Sequence, residues 1–89
     1  MTADEFNEKY SKYLEPGHYG MDIHYPEVID YLDREFEQEI KTNPEFCYAQ
    51  IKIKFGLSRI YADSNNTTKW EAEVDKMLKV RKVTAYWSV

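Results

Sequence analysis

The spacing of apolar residues changes from a helical period to alternation near Phe46, about halfway along the chain. Before this point, apolar residues recur every three or four positions, which is typical of helices that bury one face. After it, apolar and polar residues alternate through Phe55, which is typical of a strand with one buried face. A chain of 89 residues has room for one domain, so both kinds of element must share one core. The pattern therefore predicts a single α+β domain spanning residues 1–89.

Two helices are predicted before the change of period. Thr2 and Glu5 have the spacing of a capping box, so the first helix is expected to begin at Ala3 and to end near Leu14. Pro26 suits the first turn of a second helix, and Asn43-Pro44 stops that helix. The segment between the two helices holds two of the three glycines and is predicted to be a loop.

The second half of the chain predicts two strands, a helix and a third strand. Gly56 supplies the turn after the alternating segment, and Arg59–Ala62 returns as the second strand of a hairpin. Thr68 begins a second capping box and thus a third helix. Alternation over Val83–Val89 predicts a third strand, with continuation of the helix through Val83 as the alternative.

The predicted order of elements is α-α-β-β-α-β, with the helices packed on a three-stranded antiparallel sheet. A right-handed crossover through the third helix would place the last strand beside the first, giving the spatial order two, one, three. The last strand would then carry an open edge that includes Tyr86 and Trp87. Because an open edge accepts a further strand, we expect a homo-oligomer, in the simplest case a dimer, to form through this C-terminal strand.

Cysteine content and the N-terminal segment indicate a cytoplasmic protein. Cys47 is the only cysteine, so it cannot form a disulfide within the chain, whereas small secreted domains usually contain several. The first residues are acidic where a signal peptide would be basic and then apolar. No stretch reaches the roughly 18 apolar residues that a membrane span requires. We therefore expect no membrane association.

The net charge of −4 is unevenly distributed. Residues 1–45 contain twelve acidic and four basic side chains, and residues 46–89 contain four acidic and eight basic ones. The two halves thus carry −8 and +4. One interpretation is that two layers of a single domain attract each other weakly, and the other is that each face binds a different partner.

The predicted hairpin has a basic and aromatic outer face. Alternation places Tyr48, Lys52 and Lys54 on the side opposite the apolar residues, and Arg59 and Tyr61 can share that side. Cations beside aromatic rings on an open sheet are used to bind single-stranded nucleic acid. Alternating lysines also keep strand edges soluble, and the pI of about 5.1 is acidic for a nucleic-acid-binding protein. The same tyrosines, together with Tyr86 and Trp87, are candidates for a protein interface.

The second helix presents an acidic face. Asp30, Asp33 and Glu37 fall on one side of it by helical spacing. Exposed carboxylates on a helix are usually solvated rather than catalytic. Such a face could instead bind a basic partner protein, as an inhibitor or as a mimic of nucleic-acid phosphates.

Residues able to perform catalysis or bind a metal are sparse. His18, Asp22, His24 and Cys47 are metal ligands by type, but their spacing matches no metal motif. Cys47 lies on the apolar face of its predicted strand, which favours an inert buried thiol over a nucleophile. The sequence also lacks a glycine-rich phosphate loop and the HExxH motif. We therefore predict no catalytic residue, no metal site and no cofactor.

The segment Gln50–Tyr61 resembles a signature of small bacterial and phage proteins for which no function is established, roughly Q-[IV]-K-E-K-F-G-x-L-R-F-Y. Ile53 stands where that signature has Glu, Ser58 where it has Leu, and the paired cysteines that often follow are absent. The resemblance covers a dozen residues, implies a bacterial or phage origin and a strand–turn–strand unit, and implies no activity. The matching residues are Gln50, Lys52, Lys54, Phe55, Gly56, Arg59 and Tyr61.

Together these features predict a small, cytoplasmic, non-enzymatic protein-interaction module. The first alternative is nucleic-acid binding through the basic hairpin face. The second is an acidic-helix inhibitor or phosphate mimic that binds a basic partner protein.

Overall fold

A computed structural model describes the backbone of residues 1–87 and the side chains of residues 1–80. The elements, in chain order, are helix α1, a short 3-10 turn, strand β1, helix α2, strands β2 and β3, and helix α3. Their bounds are Ala3–Lys9, Ser11–Tyr13, Gly20–Met21, Pro26–Thr42, Tyr48–Lys54, Leu57–Ala62 and Thr67–Trp87. The predicted α+β fold is thus confirmed in its coarse form, with three helices and a three-stranded sheet.

Two helix starts agree with their sequence signals. The Thr2 hydroxyl accepts from the Glu5 amide at 3.1 Å while the Glu5 carboxylate accepts from the Thr2 amide at 2.8 Å, which completes the capping box. Pro26 occupies the first position of α2, where its missing amide costs nothing. Helix α1 ends at Lys9, earlier than expected, and the chain continues as the 3-10 turn.

The sheet is mixed, so the prediction of a fully antiparallel sheet is wrong. Strand β1 pairs in parallel with β2, and β2 pairs antiparallel with β3, in the spatial order β1-β2-β3. Helix α2 connects β1 to β2, and a parallel pair requires a crossover connection of this kind. The central strand is therefore β2, the first strand of the hairpin. Its neighbour on the side opposite β3 is β1, which precedes α2, and not a strand from the C-terminus.

Strand β1 is held in place by Asn7 of α1. The Asn7 side chain accepts from the Met21 amide at 2.7 Å and donates to the Met21 carbonyl at 3.0 Å. Gly20 has a φ of +73°, and a Cβ there would lie 2.4 Å from Asn7 Oδ1. A glycine is therefore required at position 20 both for its backbone conformation and for the approach of Asn7.

The prediction of a third strand over Val83–Val89 is wrong for residues 83–87, because these residues belong to α3. Ser88 and Val89 lie outside the described residues. No glycine or proline interrupts residues 67–87, and β1 and β3 already flank β2. Residues 83–87 therefore provide no strand through which the predicted C-terminal self-association could occur. The side chains of Tyr86 and Trp87, expected at that edge, lie outside the described residues.

The core lies between the helices and one face of the sheet. Its aromatic centre is Phe36, whose ring centroid lies 4.9–5.4 Å from those of Phe6, Tyr10, Phe46, Tyr48 and Trp70. The indole of Trp70, fully buried, donates to Glu35 at 3.0 Å. Among the described residues, no helix has both the length and the apolar character needed to cross a bilayer.

Candidate functional site

The outer face of the β2–β3 hairpin carries three basic side chains. The register pairs Lys52 with Arg59 and Lys54 with Leu57. Directly paired residues in an antiparallel ladder point to the same face, and these two pairs alternate with the pairs that contain the buried Ile51 and Ser58. The three cations therefore lie on the side of the sheet that faces away from the core.

The tyrosines of the hairpin separate into two environments. Tyr61 pairs with Gln50 on the outer face and is 50 % exposed. Tyr48, expected beside it, is fully buried in the core. The register shifts between Tyr48 and Gln50, so Ala49 is an extra residue that reverses the alternation. The bulge thus removes Tyr48 from the candidate surface, and burial raises its pKa to about 12.

Exposed apolar side chains concentrate in the same hairpin. Of the large hydrophobic residues that are exposed in the described part of the chain, four lie between positions 53 and 61. Phe55, in the turn, is the most exposed of the four at 88 %, followed by Tyr61 at 50 % and Leu57 at 49 %. We call the combined basic and apolar surface the hairpin patch. It consists of Lys52, Lys54, Phe55, Leu57, Arg59 and Tyr61.

The hairpin turn holds Phe55 in a costly conformation. The two residues between Lys54 and Leu57 have positive φ, +55° at Phe55 and +78° at Gly56, as in a type I′ turn. Asn or Asp is the favoured residue at the first of these positions, and a bulky side chain there costs about 1–2 kcal/mol. Phe55 recovers none of this by burial, because its ring is exposed to solvent.

The basic residues of the hairpin patch have no carboxylate partner among residues 1–80, whose side chains are described. By contrast, Lys69 contacts Glu35 at 3.1 Å and Lys76 contacts Glu73 at 3.2 Å. The Lys54 ammonium group lies 5.6 Å from the centroid of the Phe55 ring. The hairpin patch therefore presents uncompensated positive charge beside an exposed aromatic ring.

The acidic face of α2 is covered in part by α1. Asp33 contacts Lys9 at 2.8 Å and accepts from the Tyr10 hydroxyl, and Glu37 also contacts Lys9. The α-amino group of Met1 lies 3.1 Å from Asp30. The three carboxylates thus form ion pairs within the chain, although Asp30 and Glu37 are about half exposed.

The environment of Asp33 favours its ionised form. Burial opposes ionisation, but hydrogen bonds from Lys9 and Tyr10 outweigh it and lower the pKa of the Asp33 carboxyl. The same hydrogen bond to Asp33, followed by the one to Glu37, raises the pKa of Lys9. These groups therefore act as a structural link between α1 and α2.

The residues considered as metal ligands do not converge. His24 contacts Asp22 at 3.3 Å, whereas His18 lies 3.6 Å from Glu15. In the described part of the chain, no three His, Cys, Asp or Glu side chains are arranged to hold a metal ion. The Cys47 thiol donates to Glu15 at 3.2 Å, and this hydrogen bond, with burial, raises the pKa of the thiol. The thiolate form that nucleophilic catalysis needs is therefore disfavoured.

Two carboxylates on α3 support the hairpin from its edge, and sequence reasoning missed both. Asp75 accepts from the Ser58 amide at 2.7 Å, and Glu71 accepts from the Ile60 amide at 2.9 Å. Glu71 had been assigned to a capping box with Thr68, but α3 begins at Thr67 and the carboxylate instead binds β3. Ser58 itself offered a signal, since it places a hydroxyl among inward-facing apolar residues.

Comparison of the chain with protein-family models, curated proteins and solved structures gives no significant match.

Proposed function

We propose that this protein is a non-enzymatic interaction module that binds a partner protein through the hairpin patch. The observation that carries the proposal is the juxtaposition of the exposed Phe55, Leu57 and Tyr61 with three basic side chains that lack ion pairs among the described residues. Aromatic side chains and arginine are enriched in protein interfaces, in which a polar rim surrounds an apolar centre. The bacterial or phage origin and the cytoplasmic location expected from the sequence belong to the same proposal.

The conformation of Phe55 supports this role. A bulky residue at positive φ is an outlier, and such strain is found where function requires a particular side chain. Here the strained side chain contributes nothing to the core, because it is 88 % exposed. An aromatic anchor for a partner explains why Phe occupies a position that Asn would fill at lower cost.

The charge distribution supports an acidic partner. The chain as a whole carries −4, yet the hairpin patch presents Lys52, Lys54 and Arg59. An acidic partner would be attracted to this surface. The rest of the protein surface is acidic and would repel the same partner, which favours binding at the hairpin patch. The acidic face of α2 is less suited to a partner, because Lys9 and the α-amino group of Met1 already pair with its carboxylates.

The experiment is a selection of random phage-displayed peptides on the immobilised full chain, with affinities of enriched peptides measured by fluorescence anisotropy. Lys52→Glu/Lys54→Glu tests the hairpin patch. Lys12→Glu/Lys41→Glu is the matched control, because it changes two exposed lysines and the net charge equally elsewhere.

We expect enriched peptides to bind the wild type and to lose at least about tenfold in affinity, roughly 1.4 kcal/mol, only with the hairpin-patch variant. The proposal is wrong if no peptide is enriched over the bare support. It is equally wrong if both variants retain wild-type affinity.

A second candidate function is the binding of single-stranded nucleic acid, which is favoured by the shared outer face of Lys52, Arg59 and Tyr61. Protein binding is preferred because the chain is acidic overall, with a net charge of −4, which opposes the approach of nucleic-acid phosphates. Anisotropy titrations of labelled mixed-sequence DNA and RNA test it. Binding that survives physiological salt and is lost in Lys52→Glu/Lys54→Glu would support nucleic acid, and its absence would remove this candidate.

A further inference from the structure

A groove lies between the hairpin turn and α3, next to the hairpin patch. Its volume is about 550 Å³, within the roughly 300–1,000 Å³ typical of ligand-binding clefts. Leu57 is shared by the groove and the hairpin patch. The groove is lined by Gly56, Leu57, Ala72, Asp75, Lys76 and Lys79.

One face of α3 forms the helical wall of the groove. Ala72, Asp75, Lys76 and Lys79 are spaced at i, i+3, i+4 and i+7, so they follow one another along that face. Ala72 and both lysines are exposed, and Leu57 lies opposite them at 49 % exposure. The wall therefore combines a small apolar contact with two cations.

The carboxylate that lines the groove is fixed against β3. The amide and the hydroxyl of Ser58 both donate to Asp75 Oδ1, at 2.7 and 2.8 Å, and Asp75 is half-buried. Lys79 has no ion pair with any described side chain, and Lys76 pairs only with Glu73, at 3.2 Å and 73 % exposed. Because both lysines are exposed and Asp75 is half-buried, two cations and one carboxylate face an entering ligand.

We infer that this groove binds a short acidic segment of the partner protein. An apolar side chain of the segment packs against Leu57 and Ala72, and its carboxylates contact Lys76 and Lys79. Leu57 and Ala72 offer no aromatic ring on which a base could stack, which favours a peptide over a nucleic acid. This inference rests on the proposed function, because it names the chemistry of the partner at a surface continuous with the hairpin patch.

The test uses peptides selected on the wild-type full chain, and it measures their composition and their affinity. Lys76→Glu/Lys79→Glu reverses the two cations, and Leu57→Thr removes the apolar contact while keeping a residue that favours strands. Lys12→Glu/Lys41→Glu is again the matched control. Circular dichroism and urea unfolding establish that each variant is folded before binding is measured.

We expect enriched peptides to contain Asp or Glu around an apolar residue. Their affinity should fall at least about tenfold with either groove variant and stay unchanged with the control. Enriched peptides without acidic bias, or with undiminished affinity for Lys76→Glu/Lys79→Glu, would overturn the inference. A labelled oligothymidylate that displaces the peptide at physiological salt would also overturn it, because the groove would then bind nucleic acid.

Failure of the groove and failure of the proposed function are distinguishable. Peptides that lose affinity for Lys52→Glu/Lys54→Glu but not for Lys76→Glu/Lys79→Glu would retain the hairpin patch and exclude the groove. Selection that enriches no peptide would exclude both.

Discussion

The carboxylate of Asp75 on α3 accepts hydrogen bonds from both the backbone amide of Ser58, at 2.7 Å, and its hydroxyl, at 2.8 Å. One turn earlier, the Glu71 carboxylate accepts from the Ile60 amide at 2.9 Å. These two amides of β3 point away from β2, so the α3 carboxylates take the place of a neighbouring strand. The hairpin is thereby held against α3, and this edge is closed to strand addition in this region.

Asp75→Ala should destabilise the fold, because it leaves the buried amide of Ser58 without its acceptor, whereas the Ser58 hydroxyl still donates to the Glu71 carbonyl at 3.1 Å. The expected loss in free energy of unfolding is about 1–3 kcal/mol, measured by urea unfolding. Glu73→Ala is the control on the same helix, since Glu73 pairs with the exposed Lys76 and its loss should change stability by less than about 0.5 kcal/mol. Equal stabilities of the two variants would mean that Asp75 does not support β3.

Glu39 links the end of α2 to the loop before α3. Its carboxylate accepts hydrogen bonds from the side-chain amides of Asn43, at 3.0 Å, and Asn66, at 2.8 Å. Glu39 is 6 % exposed. Glu39→Gln replaces one carboxylate oxygen with an NH₂ group, which would face the NH₂ group of Asn43 or Asn66. We therefore expect a loss of about 1–3 kcal/mol in the free energy of unfolding. Gln38→Glu, at an exposed neighbouring position, is the control. A Glu39→Gln protein as stable as the wild type would contradict this linking role.

Acid should destabilise the protein through Asp33 and Glu39. Burial opposes ionisation of Glu39, but hydrogen bonds from Ser64, Asn43 and Asn66 outweigh it and lower its pKa, and the pKa of Asp33 is lowered as well. A carboxyl whose pKa is lower in the folded state stabilises that state above the unfolded pKa of about 4. This contribution is lost as the pH falls below that value and through the folded pKa.

Urea unfolding at a series of pH values measures this effect. The wild type should lose free energy of unfolding between about pH 5 and pH 2, and Asp33→Asn should show a shallower dependence. A wild-type profile that is flat or rises on acidification would show that these carboxylates are not stabilised in the folded state.

Local patterns predicted the starts of α1 and α2 and the hairpin, because these depend on residues close in sequence. The capping box at Thr2 and the proline at position 26 are examples. Strand β1 could not be predicted in this way, since two residues show no alternation and their pairing requires α2 to return the chain to β2. Asn7, which fixes β1, lies 14 residues from its partner Met21.

The orientation of the hairpin side chains could be predicted where successive residues alternate between the two faces of the sheet, but not at the bulge that interrupts this alternation. The alternation through Lys52 and Lys54 correctly predicted their outer face. The burial of Tyr48 was not predicted, because a one-residue bulge at Ala49 reverses which side chains of the strand face the core. Short-range patterns do not reveal such a bulge. The alternation over Val83–Val89 predicted a strand, with continuation of the helix through Val83 as the alternative, and residues 67–87 contain no glycine or proline that would stop the helix.

Phe55→Asn tests the proposed role of the hairpin patch most directly, because stability and binding should change in opposite directions. Asn suits the positive φ of the turn, so the free energy of unfolding should rise by about 0.5–1 kcal/mol in urea. Affinity for peptides selected on the wild type should fall at least about tenfold, since the exposed aromatic anchor is gone. A more stable variant that binds these peptides as tightly as the wild type would contradict the proposal that the hairpin patch is the binding surface.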